Sequence, residues 1–109
     1  MRAIVIAQDP EDREYHSFVL RPTGLDVSGR ENLSDAAELL VKPPVDLIFI
    51  TDDGQSNLTA LIEKLRDQTQ APLILLAEAP SEDVQCAWMD AGVDLVLKRP
   101  LSPRILSRY

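Results

Sequence analysis

The residues of this chain best suited to chemistry are carboxylates that follow apolar runs. Asp9 comes just after the run AIVIA at 3–7, and Asp52 and Asp53 follow directly on VDLIFIT at 45–51. Oxygen donors gathered from such positions can hold a hard divalent cation such as magnesium. Turn and helix-cap carboxylates have the same spacing, and that plainer role is the favoured one. Lys98 and Arg99 are adjacent cations at the end of a later apolar run. The one cysteine, Cys86, has no partner for an internal disulfide; it reads as core packing together with Met89. The one histidine, His16, sits between Tyr15 and Ser17 without partners for metal binding or phosphotransfer and reads as a surface residue. Trp88 reads either as an anchor in a protein interface or as a core residue.

Composition narrows the field. The 109 residues suffice for one core, with 45% hydrophobic and 5% aromatic residues pointing to an aliphatic globule. A net charge of -7 argues against direct contact with nucleic acid, which requires clustered positive charge. No apolar run approaches the ~18 residues needed to cross a bilayer. The acidic start, MRAIVIAQDPEDRE, is unlike a signal peptide. A lone cysteine suits a reducing compartment. These features predict a cytoplasmic domain with no membrane contact.

Short apolar runs alternate with amphipathic stretches along the whole chain, and these must position the carboxylates. Strands are predicted at 3–7, 25–28, 46–50, 72–77 and 94–98. Pro10, with Glu11 and Asp12 behind it, opens a helix to about residue 20, where Arg21-Pro22 and Gly24 break it. Ser34 caps a second helix over 35–41, stopped by Pro43 and Pro44. A third helix, capped by Ser56 or Asn57, carries the stripe Leu58, Leu61, Ile62 and Leu65. Ser81 starts a fourth, which Gly92 ends as a left-handed cap. Ser102-Pro103 opens a last, short helix. Five strand-helix repeats predict a parallel sheet covered on both faces. Right-handed crossovers make it a flavodoxin-like doubly wound α/β sandwich in strand order 2-1-3-4-5, with its site at the strands' carboxyl ends.

The segment AGVDLVLKRPLSPRIL at 91–106 resembles the pattern A-G-A-D-D-Y-L-x-K-P-F-S-P-x-E-L of response-regulator receiver domains. IVIAQDPEDR resembles that family's I-L-I-V-D-D-D-P-E-x-R, and VDLIFIT resembles its P-D-L-I-L-L-D. The resemblance spans nearly the whole chain in one order and implies an N-terminal receiver over 1–109 of a longer regulator. The SPRIL ending is similar to receivers that precede winged-helix DNA-binding domains. In a working receiver an acidic pair holds magnesium, an aspartate attacks phosphorus, a hydroxyl and a lysine receive the phosphoryl group, and an aromatic reports it. Carried over in register, the acidic pair falls on Ala7 and Gln8, the nucleophile on Thr51 and the hydroxyl on Ala77. The lysine falls on Arg99, the aromatic on Val96 and the cis-proline on Pro100. Only Arg99 retains any of the original character. The loop after the third strand is also short, with Gly54 the remnant of a glycine-bearing motif.

The resemblance therefore implies an atypical, phosphorylation-independent receiver: not an enzyme, without catalytic residues, metal or cofactor, acting by protein interaction in signal transduction or transcription regulation. Arg99 paired with Asp52 or Asp53 could mimic the phosphorylated charge balance; a solvated arginine is the alternative. Partner binding or homodimerisation is expected through the fourth helix, fifth strand and fifth helix, with Trp88, Asp90, Asp94, Arg104 and Arg108 as candidate contacts. Two alternatives stand beside this. Asp52 or Asp53 could remain a phosphoacceptor with a metal on Asp9, although a one-residue slip turns a strand side chain to the other face. Alternatively, Ala7, Ala77 and Val96 could line a less polar crevice for a small molecule.

Overall fold

The computed structural model describes residues 1–32, 45–52 and 58–99. The predictions for the second helix, the loop after residue 52, Pro100 and the last helix with Arg104 and Arg108 lie outside the described residues. Within them the order is β1 (Arg2–Ile6), α1 (Pro10–Leu20), β2 (Asp26–Arg30), β3 (Leu47–Thr51), α2 (Leu58–Gln68), β4 (Leu73–Ala77), α3 (Glu82–Ala91) and β5 (Leu95–Lys98). The strands form one sheet in the order β2-β1-β3-β4-β5, every neighbouring pair parallel. This is the predicted doubly wound order.

Alternating side chains divide the core into two layers, as the period of a strand requires. Ile4, Ile6, Ile48, Ile50, Leu73 and Leu75 meet Ile62 and Leu65 of α2 and Trp88 of α3 on one face. Ala3, Val5, Ala7, Phe49 and Leu76 meet Val19 and Leu20 of α1 on the other. The central strands are apolar at successive positions because both faces are covered.

Local signals set the ends. Asp9 caps α1 by accepting the Glu11 N–H at 3.0 Å, and Pro10 occupies the first turn. Ser81 caps α3 by accepting from Val84 N–H at 3.2 Å, and Gly92, at φ 132°, ends it. After α1 a 3-10 turn, Arg21–Thr23, closes on Gly24 at φ 90°. β2 accordingly begins at Asp26, one residue later than the composition predicts. It extends to Arg30, whose carbonyl accepts Ala7 N–H at 3.0 Å.

Two sequence expectations are corrected. His16 is completely buried, its Nδ1 2.8 Å from the Asp12 carbonyl, and a carbonyl only accepts, so this nitrogen carries the proton. Ser17 is hidden the same way, its hydroxyl donating to the Arg13 carbonyl at 2.8 Å. Cys86 and Met89, expected in the core, are exposed, because α3 turns Trp88 inward instead. Of the two readings open for Trp88, the structure shows the core one: it is 5% exposed and packed in the core.

At the amino ends of β4 and β5 a single arginine draws several segments together. Arg66 of α2 donates to the carbonyls of Ala71 at 3.0 Å and Gly92 at 2.6 Å, and to Asp94 Oδ2 at 2.8 Å. The same Asp94 oxygen accepts the Leu73 N–H at 2.8 Å. Asp94, a candidate for pairing between chains, is thus held within its own chain. Gly92 permits this approach, since a Cβ there would sit 3.2 Å from Arg66 Nε.

Candidate functional site

The carboxyl ends of β1, β3, β4 and β5 come together around an open crevice of about 720 Å³, lined by Gln8, Asp9, Asp12, Asp52, Ala77, Glu78, Ala79, Pro80 and Arg99. Each wall follows from strand termination. Ala7, just past β1, is 1% exposed, so the exposed Gln8 is the first residue there to reach solvent. Thr51 closes β3 fully buried, and its hydroxyl donates to the Ile6 carbonyl across a long 3.5 Å. Asp52 N–H donates to the Leu76 carbonyl at 2.8 Å, and Arg99 N–H to that of Ala77 at 3.0 Å. These bonds continue the sheet ladder one step beyond the strands and fix where the next side chains emerge.

Arg99 is the hub of this edge. Its Nη1 donates to the Asp52 carbonyl at 2.8 Å, while its Nη2 forms an ion pair with Asp12 Oδ2. Both partners are largely shielded, with side chains 18% and 22% exposed. A charge-assisted pair in such surroundings is screened less than one on open surface. The sequence pointed to the carboxylates of Asp52 or Asp53 as partners of Arg99. The structure gives it the carboxylate of Asp12 and the backbone carbonyl of Asp52, while Asp53 lies outside the described residues.

The proposed acidic cluster changes character accordingly. Asp9 serves as the α1 cap, and Asp12 one turn later is paired with Arg99. Among the described residues no group of three His, Cys, Asp or Glu side chains is placed to hold a metal ion. Nor do Ala7, Ala77 and Val96 form one apolar crevice. Ala7 is buried, and Val96 lines a neighbouring groove of about 190 Å³ with Lys98, so of these three Ala77 alone borders both openings. Asp12 is the site residue that sequence reasoning missed. Its only sequence signal is a position in the first turn of α1, which reads equally well as a favourable charge on the helix dipole. Of the candidate interface residues, Asp90 is exposed on α3.

No family model matches the chain, and no curated protein matches it in sequence. Solved structures match it closely in shape. A response regulator from Thermotoga maritima superposes with a TM-score of 0.86 at 18% identity, covering 98% of this chain and 92% of that one. A two-component response regulator from Clostridium difficile gives 0.85 at 22% identity, covering 99% and 90%. The chain has the receiver fold. A response regulator receiver domain protein from Methanospirillum hungatei agrees, at a TM-score of 0.83 and 17% identity over 98% and 87%. On this receiver fold, Ala7, Gln8, Thr51, Ala77 and Arg99 stand at or next to the ends of the four strands that border the crevice. Val96 lies inside β5. Among the described residues, no helix of this receiver fold is long and apolar enough to cross a membrane.

Proposed function

We propose that the chain is an atypical receiver that takes part in signal transduction or transcription regulation by binding protein, without accepting a phosphoryl group. The observation that carries this reading is Thr51, fully buried at the end of β3 with its hydroxyl turned to the Ile6 carbonyl. A hydroxyl at 0% exposure has no open approach from the crevice and is a poor acceptor for phosphoryl transfer. The Arg99–Asp12 pair supports the reading further, because the cation that would meet a phosphoryl group already has a carboxylate. The net charge of -7 supports a protein partner over nucleic acid.

Asp52 is the alternative acceptor, since it borders the crevice beside Asp9 and Asp12. One experiment separates the two readings. The chain is incubated with magnesium and acetyl phosphate and weighed by intact mass spectrometry, and amide spectra are recorded with magnesium and then beryllofluoride. The expected result is no gain of a phosphoryl mass and no shifts clustered at Asp9, Asp12 and Asp52. A phosphoryl gain that disappears in Asp52→Asn would establish a residual phosphoacceptor and overturn the proposal.

A further inference from the structure

Helix α1 turns His16, Ser17, Val19 and Leu20 inward, yet Phe18 is 70% exposed and Tyr15 40% exposed. A phenylalanine ring gains by leaving water, so one displayed on a helix marks a surface that gains by being covered. Glu11, Glu14, Arg21 and Pro22 are exposed on the same side of the helix and its 3-10 extension, spaced three and four residues from the two rings. Negative charge lies before Phe18, and positive charge after it.

That order is self-complementary. In a two-fold contact, residue i meets j while j meets i. Two copies of α1 crossing antiparallel at Phe18 would place Glu14 and Tyr15 of one opposite Arg21 and Pro22 of the other. The carboxylate then meets the guanidinium, and Arg21 can also cover the Tyr15 ring in a cation–π contact. A foreign helix would have to bring a complement for both charges, which a second copy already carries. We propose that this α1 face pairs with the same face of a second copy of the chain, Phe18 packing on Phe18. The inference rests on reading the chain as an interaction module and moves the contact to α1 from the fourth helix, fifth strand and fifth helix, where the sequence placed it.

The stripe is short, so the pairing belongs with weak, transient interfaces, those burying under about 1,200 Å². Sedimentation equilibrium from about 10 µM to about 1 mM spans that regime. Wild-type chain is expected to dimerise reversibly, and Phe18→Asp to raise the dissociation constant at least thirtyfold or so, as for loss of an aromatic anchor. Because Phe18 is outside the core, circular dichroism of that variant should be unchanged. Glu14→Arg alone and Arg21→Glu alone should each weaken pairing, and the double swap should restore it. A chain monomeric throughout, a dimer indifferent to Phe18→Asp, or a failure of the swap to restore pairing would each overturn the proposal. So would a monomer whose Phe18 region responds only to an added basic amphipathic peptide. None of these outcomes bears on the phosphodonor result, so the two proposals fail separately.

Discussion

Trp88→Ala lowers the free energy of unfolding by about 4 kcal/mol, within the range for aromatic truncation in a close-packed core. Trp88 is 5% exposed and shares its layer with Ile62, Leu65, Leu73 and Leu75, so the substitution leaves a large void between α3 and the sheet. A domain of this size commonly has only about 5–15 kcal/mol in total, so the loss shows as a marked fall in the urea midpoint. It is the chain's only tryptophan, which allows a check on the intact protein. Its fluorescence should be blue-shifted and resist quenching by iodide at every protein concentration. Were the side chain an interface anchor, quenching would instead be strong in dilute solution and fall with association. The more conservative Trp88→Phe should cost much less, since most of the volume stays filled.

Arg66→Ala should be the second most damaging change, at about 3 kcal/mol. Three close acceptors lose a charged donor together, the Ala71 and Gly92 carbonyls and Asp94, and so does the Thr69 carbonyl at a longer 3.4 Å. Hydrogen bonds to charged groups are worth about 1.5–3 kcal/mol each, but the Arg66 side chain is 26% exposed. Water therefore replaces part of what is lost, and the sum falls well below three full bonds. Arg66→Lys keeps the charge without the planar fork that reaches several acceptors at once. It should recover less than half of the loss. Urea titrations of the two variants beside wild type provide the comparison.

The fold was legible because its local and global signals agree. Branched aliphatic runs marked the strands, Pro10 and Ser81 marked helix starts, and Gly24 and Gly92 marked breaks. The site was only half legible. The carboxyl ends of β1, β3, β4 and β5 could be located to within a residue, so Thr51, Ala77 and Arg99 could be placed at one edge. The contact of Arg99 with Asp12 joins residues 87 apart in sequence, and nothing local announces it. His16 misled for a different reason, which Ser17 shares. Each satisfies its polar group on its own helix, one turn back, so a polar letter hides an interior position. Arg66 carries no local signal beyond a cation in the last turn of its helix, and its acceptors lie in loops whose course only the fold determines. Trp88 could not be decided from spacing alone, since an amphipathic helix of this length shows apolar residues on more than one side.

The two arginines also bear on how the sheet comes apart. β5 is a four-residue strand at the edge of the sheet, the kind of element that ordinarily frays first and lets its amide hydrogens exchange early. Asp94, just before it, is bound to Arg66 and to the Leu73 amide, and Arg99, just after it, is bound to Asp12 and the Asp52 carbonyl. Peeling β5 away would break both attachments at once, making a local opening nearly as costly as a global one. Its hydrogen-bonded amides should therefore exchange with deuterium on the timescale of whole-domain unfolding, in step with β4. In Arg66→Ala that coupling should be lost, with β5 exchanging ahead of β4.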